Sequence, residues 1–324
     1  MIRWAAGLTI GTLLVGLTSP MFVRSYLPSV VERGVVTAPE GSAMRWRAEG
    51  CATTHYGPHG MPGRTDAVAS NAGQRWALYG DSQVEGFAVD DADKVFARVE
   101  AVSGGRVAAY PLARSGDSLA EWLRQIAFAE DVLGVDRHVF VVVDSSDLTL
   151  PDGWTIRDLA PERTGGRLGG LTARVPAFLT QAARHVLTTP DGQPRDLRWR
   201  VGPMDAPEPD ATPVRDAAFE RGFAILGELA TRPVTVVYAP PRPMLIDGRI
   251  LMDPDAAAAT LRVTVMRAGF GWIDLSDRFA ESVERGVWPF GFANGVIGSG
   301  HLNPAGNGIV AEALVGQVVH SRQR

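Results

Sequence analysis

Two short motifs, far apart in the chain, contain the residue types best suited to chemistry. The first is a Gly-Asp-Ser motif at 80–82, directly after the apolar stretch 76–79, and the second is a loop at His301, shortly before a helical pattern at 309–314. A serine on a tight turn after a strand is exposed as a nucleophile, and a histidine on a loop is placed to act as its base. If folding brings Ser82 and His301 together, they predict a serine esterase or acyltransferase; if it does not, they are a turn and a helix start.

The turn at 80–82 fits two interpretations. Gly80 permits a sharp turn, and the start of a helix after it would offer backbone N–H groups to a developing oxyanion. Asp81 and Ser82 are also common helix N-caps, so a turn followed by a capped helix explains them without any catalysis.

Short apolar runs alternate with segments of helical periodicity along the chain. Predicted strands lie at 75–79, 106–110, 138–143, 234–238 and 272–275, and predicted helices at 91–102, 115–132, 254–268 and 304–319. Alternating strands and helices form a parallel sheet covered on both faces. We therefore expect a flavodoxin-like three-layer α/β/α sandwich with a central parallel sheet of about five strands. Ser82, Gly116 and Ser146 each follow a predicted strand, at the edge where such sheets carry their sites.

The N-terminus contains an apolar segment without charges, Trp4–Val23, between Arg3 and Arg24. As a helix it is ~30 Å long, which matches the hydrocarbon core of a membrane. We interpret residues 1–24 as an uncleaved signal anchor; a cleaved signal peptide, which would give a secreted protein, and a buried helix are the alternatives. With Arg3 inside, the positive-inside rule predicts a single-pass protein of a bacterial inner membrane with its remaining chain in the periplasm.

The rest of the chain divides into two parts. Residues 25–70, rich in Gly, Pro and Thr, are expected to form an extended or irregular lead-in linker. Residues 71–324 are expected to form the main domain, with an insertion at 150–213 that interrupts the alternation of strands and helices. Long insertions of this kind are often functional.

Composition excludes several classes of function. The net charge is -4, so the chain lacks the basic face of a nucleic-acid-binding protein. Cys51 is the single cysteine, which excludes an intrachain disulfide and a cysteine-based zinc site. His55 and His59 lie close in sequence but have no nearby carboxylate cluster, so we expect no metal and no cofactor. The oligomeric state stays open.

The motifs together resemble those of the SGNH hydrolases, also called GDSL esterases and lipases, in their membrane-anchored bacterial type. Gly116 lies in Ala-Arg-Ser-Gly-Asp-Ser at 113–118, which is similar to the second block of the family, and His301 lies in His-Leu-Asn-Pro-Ala-Gly, which is similar to its last block. The resemblance implies that Ser82 is the nucleophile and His301 the base. It also implies an oxyanion hole formed by Ser82, Gly116 and the residue at position 146.

Two positions depart from the family pattern. Ser146 stands where the family usually has an asparagine that donates to the oxyanion. Gly298 and Ser299 precede His301 where the family often has the triad aspartate. The role of that acid must then fall to a backbone carbonyl, to Ser299 or Asn294, or to a distant carboxylate, and Asp81 is a further residue that could support the site.

The resemblance and the anchor together imply a substrate class. We expect an esterase or O-acyltransferase that acts on ester groups, such as O-acetyl groups, of an extracytoplasmic carbohydrate. The competing hypothesis is a catalytically degenerate member of the fold that binds glycans or protein partners in the cell envelope. A nucleotide-binding function is disfavoured, because no glycine-rich phosphate loop opens the first helix and Asp81 and Glu85 would repel a phosphate.

Overall fold

The computed structural model describes residues 2–66, 72–151, 153–159, 177–187, 216–241, 243–246, 249–251 and 256–320. Its strands are β1 (Val30–Glu32), β2 (Val35–Thr37), β3 (Ala43–Arg45), β4 (Thr53–His55), β5 (Gln74–Gly80), β6 (Val107–Ala113), β7 (Arg137–Val142), β8 (Val234–Tyr238), β9 (Met244–Ile246), β10 (Arg249–Leu251) and β11 (Gly271–Asp274). Its α-helices are α1 (Ile2–Phe22), α2 (Ser82–Glu85), α3 (Val95–Val102), α4 (Leu119–Leu123), α5 (Ile126–Asp131), α6 (Ala177–Leu187), α7 (Asp216–Leu229), α8 (Ala256–Arg267), α9 (Ser276–Glu284) and α10 (Pro304–His320).

The central sheet has five parallel strands in the order β11-β8-β7-β5-β6. Side chains along β5 alternate between its two faces, so Trp76 and Leu78 join one apolar cluster while Ala77 and Tyr79 join the other. Helices α3 and α10 cover the first face, and α4, α5 and α7 cover the second. The predicted three-layer α/β/α sandwich is therefore confirmed.

Two of the predicted helices have different bounds in the structure. The segment predicted as one helix at 115–132 forms α4 and α5, which are separate because the N–H of Gln125 bonds the carbonyl of Trp122, as in a tight 3₁₀ turn. The segment predicted at 91–102 begins with a short 3₁₀ turn, and α3 starts only at Val95.

The segment expected to be a lead-in linker contains two antiparallel hairpins, β1–β2 and β3–β4. Buried cations tie this segment to the sheet domain. The guanidinium of Arg64 is 1% exposed and bonds the Glu100 carboxylate and the Ala109 carbonyl. The ammonium of Lys94 on the domain bonds Thr54 Oγ1 of β4 at 2.9 Å. The segment thus packs on the domain as an ordered layer.

Helix α1 spans Ile2–Phe22, and its side chains are almost all exposed. The stretch Ile2–Ser19 has a mean hydropathy of 1.2, so its length and composition would allow it to cross a membrane, a property that signal sequences share. Most of the insertion predicted at 150–213 lies outside the described residues. Within it, the structure describes helix α6.

Candidate active site

Ser82 lies at the carboxyl end of the central strand β5. Gly80 ends that strand, and any side chain there would meet Val84 Cγ2 at 2.3 Å, so the turn requires glycine. Asp81 then caps α2, its Oδ1 accepting the N–H of Gln83 at 2.9 Å. Ser82 is the first residue of α2, where a backbone N–H has no partner within the helix. The local sequence therefore exposes both a hydroxyl and an N–H at one point.

His301 lies on the loop before α10, and the structure brings its ring to Ser82. The two atoms that face each other, His301 Nε2 and Ser82 Oγ, are 3.1 Å apart. Asn303 holds the loop, because its Oδ1 accepts the N–H groups of Ala305 and Gly306. The N–H of Leu302 donates to Gln83 Oε1 at 2.7 Å, which ties the loop directly to α2.

The other ring nitrogen of His301 faces a carboxylate from the lead-in segment. Glu49 Oε2 lies 2.7 Å from His301 Nδ1, and Glu49 Oε1 accepts the backbone N–H of His301 at 3.0 Å. Burial opposes ionisation of Glu49, but the hydrogen bonds from His301 and its charge outweigh burial, so the pKa of Glu49 lies below its usual value. An ionised carboxylate therefore holds the ring with Nδ1 protonated and Nε2 directed to Ser82.

Asn294 and Ser299 do not orient the ring of His301. Asn294 instead supports the loop that carries Glu49, its Oδ1 accepting the N–H of Gly50 at 2.9 Å. Ser299 makes a turn bond to the carbonyl of Val296 and no described bond to the ring. The expectation for these two residues is therefore replaced by Glu49, the distant carboxylate that the sequence left open.

The sequence holds only an indirect signal for Glu49. Gly50 has φ +70 and a Cβ there would lie 1.8 Å from the carbonyl oxygen of Ala88, while a Cβ at Gly300 would lie 2.4 Å from Glu49 Oε1. Gly50 thus allows the hairpin to approach Ala88 closely, and Gly300 allows the histidine loop to approach Glu49. Nothing in the sequence at either position indicates that the hairpin and the histidine loop meet.

Gly116 lies on the loop after β6 and borders the same cavity as Ser82 and His301. Its φ of +83 is a left-handed conformation that favours glycine. The preceding residue fixes this loop, because Ser115 donates its N–H and its hydroxyl to Glu85 Oε2, each at 2.7 Å. Glu85 is 4% exposed and accepts a further bond from the Tyr56 hydroxyl at 2.5 Å. The buried carboxylate of Glu85 thus positions the loop of Gly116 beside the nucleophile.

Ser146 lies away from Ser82, whereas Asp81 contacts the Ser82 hydroxyl without contacting His301. Ser146 is exposed in the turn after β7, its N–H donates to Asp144 Oδ1 at 2.9 Å, and it does not border the cavity at Ser82. Asp81 Oδ2 lies 3.2 Å from Ser82 Oγ, so it is a second acceptor for that hydroxyl and does not contact His301 in the described bonds. Near it, burial and the charges of Asp81 and Asp144 raise the pKa of Asp147 to about 7.

A cavity of about 500 Å³ opens above Ser82 and His301. Aromatic side chains form much of its wall, and Phe87 packs its ring edge-on to His301 at 4.6 Å between centroids. The segment 24–29, directly after α1, closes one side. The aromatic residues that border the cavity are Tyr26, Trp46, Tyr56 and Phe87.

In the part of the chain that the structure describes, no group of three or more His, Cys, Asp or Glu side chains is arranged to hold a metal ion. His55 Nδ1 bonds Asp91 at 2.7 Å, and His59 Nδ1 bonds Glu32 at 3.1 Å, so each histidine of the lead-in pair has its own carboxylate partner.

No protein-family model matches the chain, and no curated protein matches it. Similar solved structures include the lipase/acylhydrolase from Enterococcus faecalis, at 15% identity and a TM-score of 0.41 over 76% of this chain and 95% of that chain. Another is the acetyl xylan esterase AlAXEase, at 15% identity and a TM-score of 0.42 over 75% of this chain and 99% of that chain. A third is a catalytic mutant of Axe2, an acetylxylan esterase from Geobacillus stearothermophilus, at 13% identity and a TM-score of 0.39 over 76% of this chain and 94% of that chain.

These similarities concern the overall fold.

Proposed function

We propose that the protein is a serine esterase or O-acyltransferase in which Ser82 is the nucleophile, His301 the base and Glu49 the acid that orients the base. One observation carries this proposal: His301 lies between the two, 3.1 Å from Ser82 Oγ and 2.7 Å from Glu49 Oε2. This is the relation of nucleophile, base and orienting acid that acyl transfer by a serine requires.

The reaction follows from this geometry. His301 Nε2 takes the proton of the Ser82 hydroxyl as its oxygen attacks the ester carbonyl. The backbone N–H groups of Ser82 and Gly116 donate to the oxyanion. When the alcohol leaves, it takes the proton from His301 and an acyl-serine remains. Water, in an esterase, or a second hydroxyl, in a transferase, then attacks that acyl group and gives its proton to His301, which returns it to Ser82.

The cavity supports an ester of a carbohydrate as the substrate class. Its volume of about 500 Å³ lies in the range of small-ligand sites and accommodates a sugar unit beside the acyl group. Rings such as those of Trp46 and Tyr26 on its wall are suited to contact the apolar face of a sugar. We further propose that α1 anchors the protein in a bacterial membrane with residues 25–324 outside the cytoplasm.

A binding module without catalysis is the weaker candidate. Two features of the sequence favour this candidate: no acid lies close to His301, and Ser146 stands in place of an asparagine. Glu49 supplies an acid from another part of the chain. The N–H groups of two residues, Ser82 and Gly116, remain for the oxyanion.

The test is hydrolysis of 4-nitrophenyl acetate by the full chain in detergent, compared with Ser82→Ala, His301→Ala and their double variant. We expect each to lower kcat by at least about 10³-fold and the double variant to be no worse, as for groups that act as one unit. Ser299→Ala is the matched control beside the site and should retain the parental rate. A fluorophosphonate should label the parent at Ser82. A folded, unlabelled parent with no hydrolysis would instead favour the binding module.

A further inference from the structure

Two arginines border the cavity together with Ser82. Arg24 follows α1 closely, and Arg114 follows β6; both are partly buried. Neither forms an ion pair with a carboxylate of the described residues, in contrast to arginines elsewhere such as Arg267, which pairs with Glu220 at 2.6 Å. Among the residues that the structure describes, these two guanidinium groups of the cavity therefore have no ion-pair partner; the buried carboxyl of Asp117 is near Arg114, whose charge opposes the rise of the Asp117 pKa that burial causes.

Glu85, the carboxylate that borders the cavity, forms no ion pair with either arginine. Glu85 is 4% exposed, and its oxygens accept the Tyr56 hydroxyl at 2.5 Å and the Ser115 N–H and hydroxyl at 2.7 Å each. These bonds commit Glu85 to holding the loop of Gly116.

Both guanidinium groups are held in place while N–H donors remain available. Arg24 Cζ lies 4.8 Å from the ring centroid of Tyr26 and 5.1 Å from that of Trp46. Stacking of this kind uses the flat face of the group and leaves its N–H edge for a planar acceptor. Arg114 Nη2 makes one long bond, 3.4 Å, to the hydroxyl of Ser29. Arg24 therefore lies in the segment 24–29 that closes the cavity, and Arg114 contacts that segment at Ser29.

We propose that this cavity selects esters whose alcohol portion carries an anionic group, a carboxylate or a phosphate, which Arg24 and Arg114 bind. This inference rests on the proposed esterase function and names its substrate class. The paired N–H donors of a guanidinium match the paired oxygens of both anions, and such charge-assisted bonds are stronger than neutral ones. An anionic sugar ester would place its ring on the aromatic wall and its charge at the arginines.

The experiment compares neutral and anionic esters of the same acyl group on the full chain. The probes are methyl 4-acetoxybenzoate, which is neutral, 4-acetoxybenzoate, which carries a carboxylate, and 4-acetoxyphenyl phosphate. The measured quantity is the ratio of kcat/KM for each anionic ester to that for the neutral one. Differences in leaving-group chemistry cancel when this ratio is compared between protein variants.

We expect Arg24→Met and Arg114→Met each to lower the ratio by about 10-fold relative to the parent, as loss of a charge-assisted hydrogen bond does. Arg267→Met, at a residue that is 65% exposed and does not border the cavity, should leave the ratio at the parental value. The larger loss, with carboxylate or with phosphate, identifies which anion the site takes.

Two results would overturn the inference in distinguishable ways. If both cavity variants keep the parental ratio while the parent hydrolyses all esters, the anionic substrate class is wrong and the esterase function stands. If the folded parent hydrolyses none of the esters, the esterase function fails, and the substrate class fails with it.

Discussion

Replacement of Glu49 by glutamine tests the least expected residue of the site. Glu49 accepts two N–H groups of the same histidine, one from ring Nδ1 at 2.7 Å and one from the backbone at 3.0 Å. A glutamine has only one acceptor oxygen. If that oxygen keeps the backbone N–H of His301, the amide NH₂ faces Nδ1, which must then be unprotonated.

The size of the effect follows from this change of tautomer. With Nδ1 unprotonated, the ring carries its proton on Nε2, the atom 3.1 Å from Ser82 Oγ, and cannot accept the serine proton. The equivalent change in a serine–histidine–aspartate triad lowers kcat by about 10⁴-fold. Because Glu49 lies on a separate hairpin that can adjust, we expect a loss of about 10³–10⁴-fold for Glu49→Gln.

The assay is the steady-state hydrolysis of 4-nitrophenyl acetate at pH 7, with KM and kcat measured separately. The loss should fall in kcat, because Glu49 does not border the cavity, and fluorophosphonate labelling of Ser82 should slow in parallel. Glu40→Gln, an exposed residue of the same segment, is the matched control. A Glu49→Gln protein that keeps kcat within about threefold of the parent would refute the orienting role that we derive from the triad geometry.

Further variants separate the supports of the site. Glu85→Gln places an amide donor against the Tyr56 hydroxyl or the Ser115 N–H. We therefore expect the free energy of unfolding, measured with denaturant, to fall by about 1–3 kcal/mol and kcat to fall as well. Glu281→Gln, at an exposed residue, should change neither quantity. Gly116→Ala and Gly104→Ala both place alanine at a positive φ, +83 and +63, with no atom in the way. We expect a similar loss of stability in both variants and a loss of kcat only in Gly116→Ala, which would show that the loop of Gly116 takes part in catalysis. The pKa of Asp147 is raised to about 7 in the folded protein, whereas the unfolded chain releases this proton near pH 4. The protonated carboxyl therefore stabilises the folded state at low pH, and this stabilisation is lost by the time the pH has risen through 7. Asp147→Asn should accordingly raise the Tm relative to the parent above pH 7 but not below pH 4.

The fold could be predicted from the sequence because the strands of its central sheet are nearly pure apolar runs. Val139–Val142 of β7 are buried on both faces of the sheet, which leaves no room for polar alternation and makes the strand recognisable. Helical periodicity in the sequence does not reveal where a turn interrupts a helix. The run at 115–132 has continuous helical spacing, yet the 3₁₀-type bond from the N–H of Gln125 to the carbonyl of Trp122 separates α4 from α5.

Only part of the site could be predicted from the sequence, because some of its residues are positioned by their neighbours in sequence and others by distant segments. Ser82 and His301 sit in motifs whose conformation is set by neighbours: Asp81 caps α2, and Asn303 holds the loop before α10. Glu49 has no such local context, since its role arises only when the hairpin β3–β4 docks on the loop of His301. Ser146 follows the correct strand, but its N–H turns to Asp144.

In the proposed mechanism, the position of Glu49 makes the lead-in segment part of the catalytic unit. This segment supplies the acid that orients His301, a wall of the cavity and Arg24. Lys94 of the domain holds it in place: its ammonium is fully buried and bonds Thr54 Oγ1 and the carbonyls of Glu85 and Gly86, the end of the helix that begins with Ser82. In the proposed mechanism, catalysis therefore requires the segment after α1 to be docked on the sheet domain. A protein in which this segment is detached would keep Ser82 and His301 but would lose Glu49, the acid proposed to orient His301.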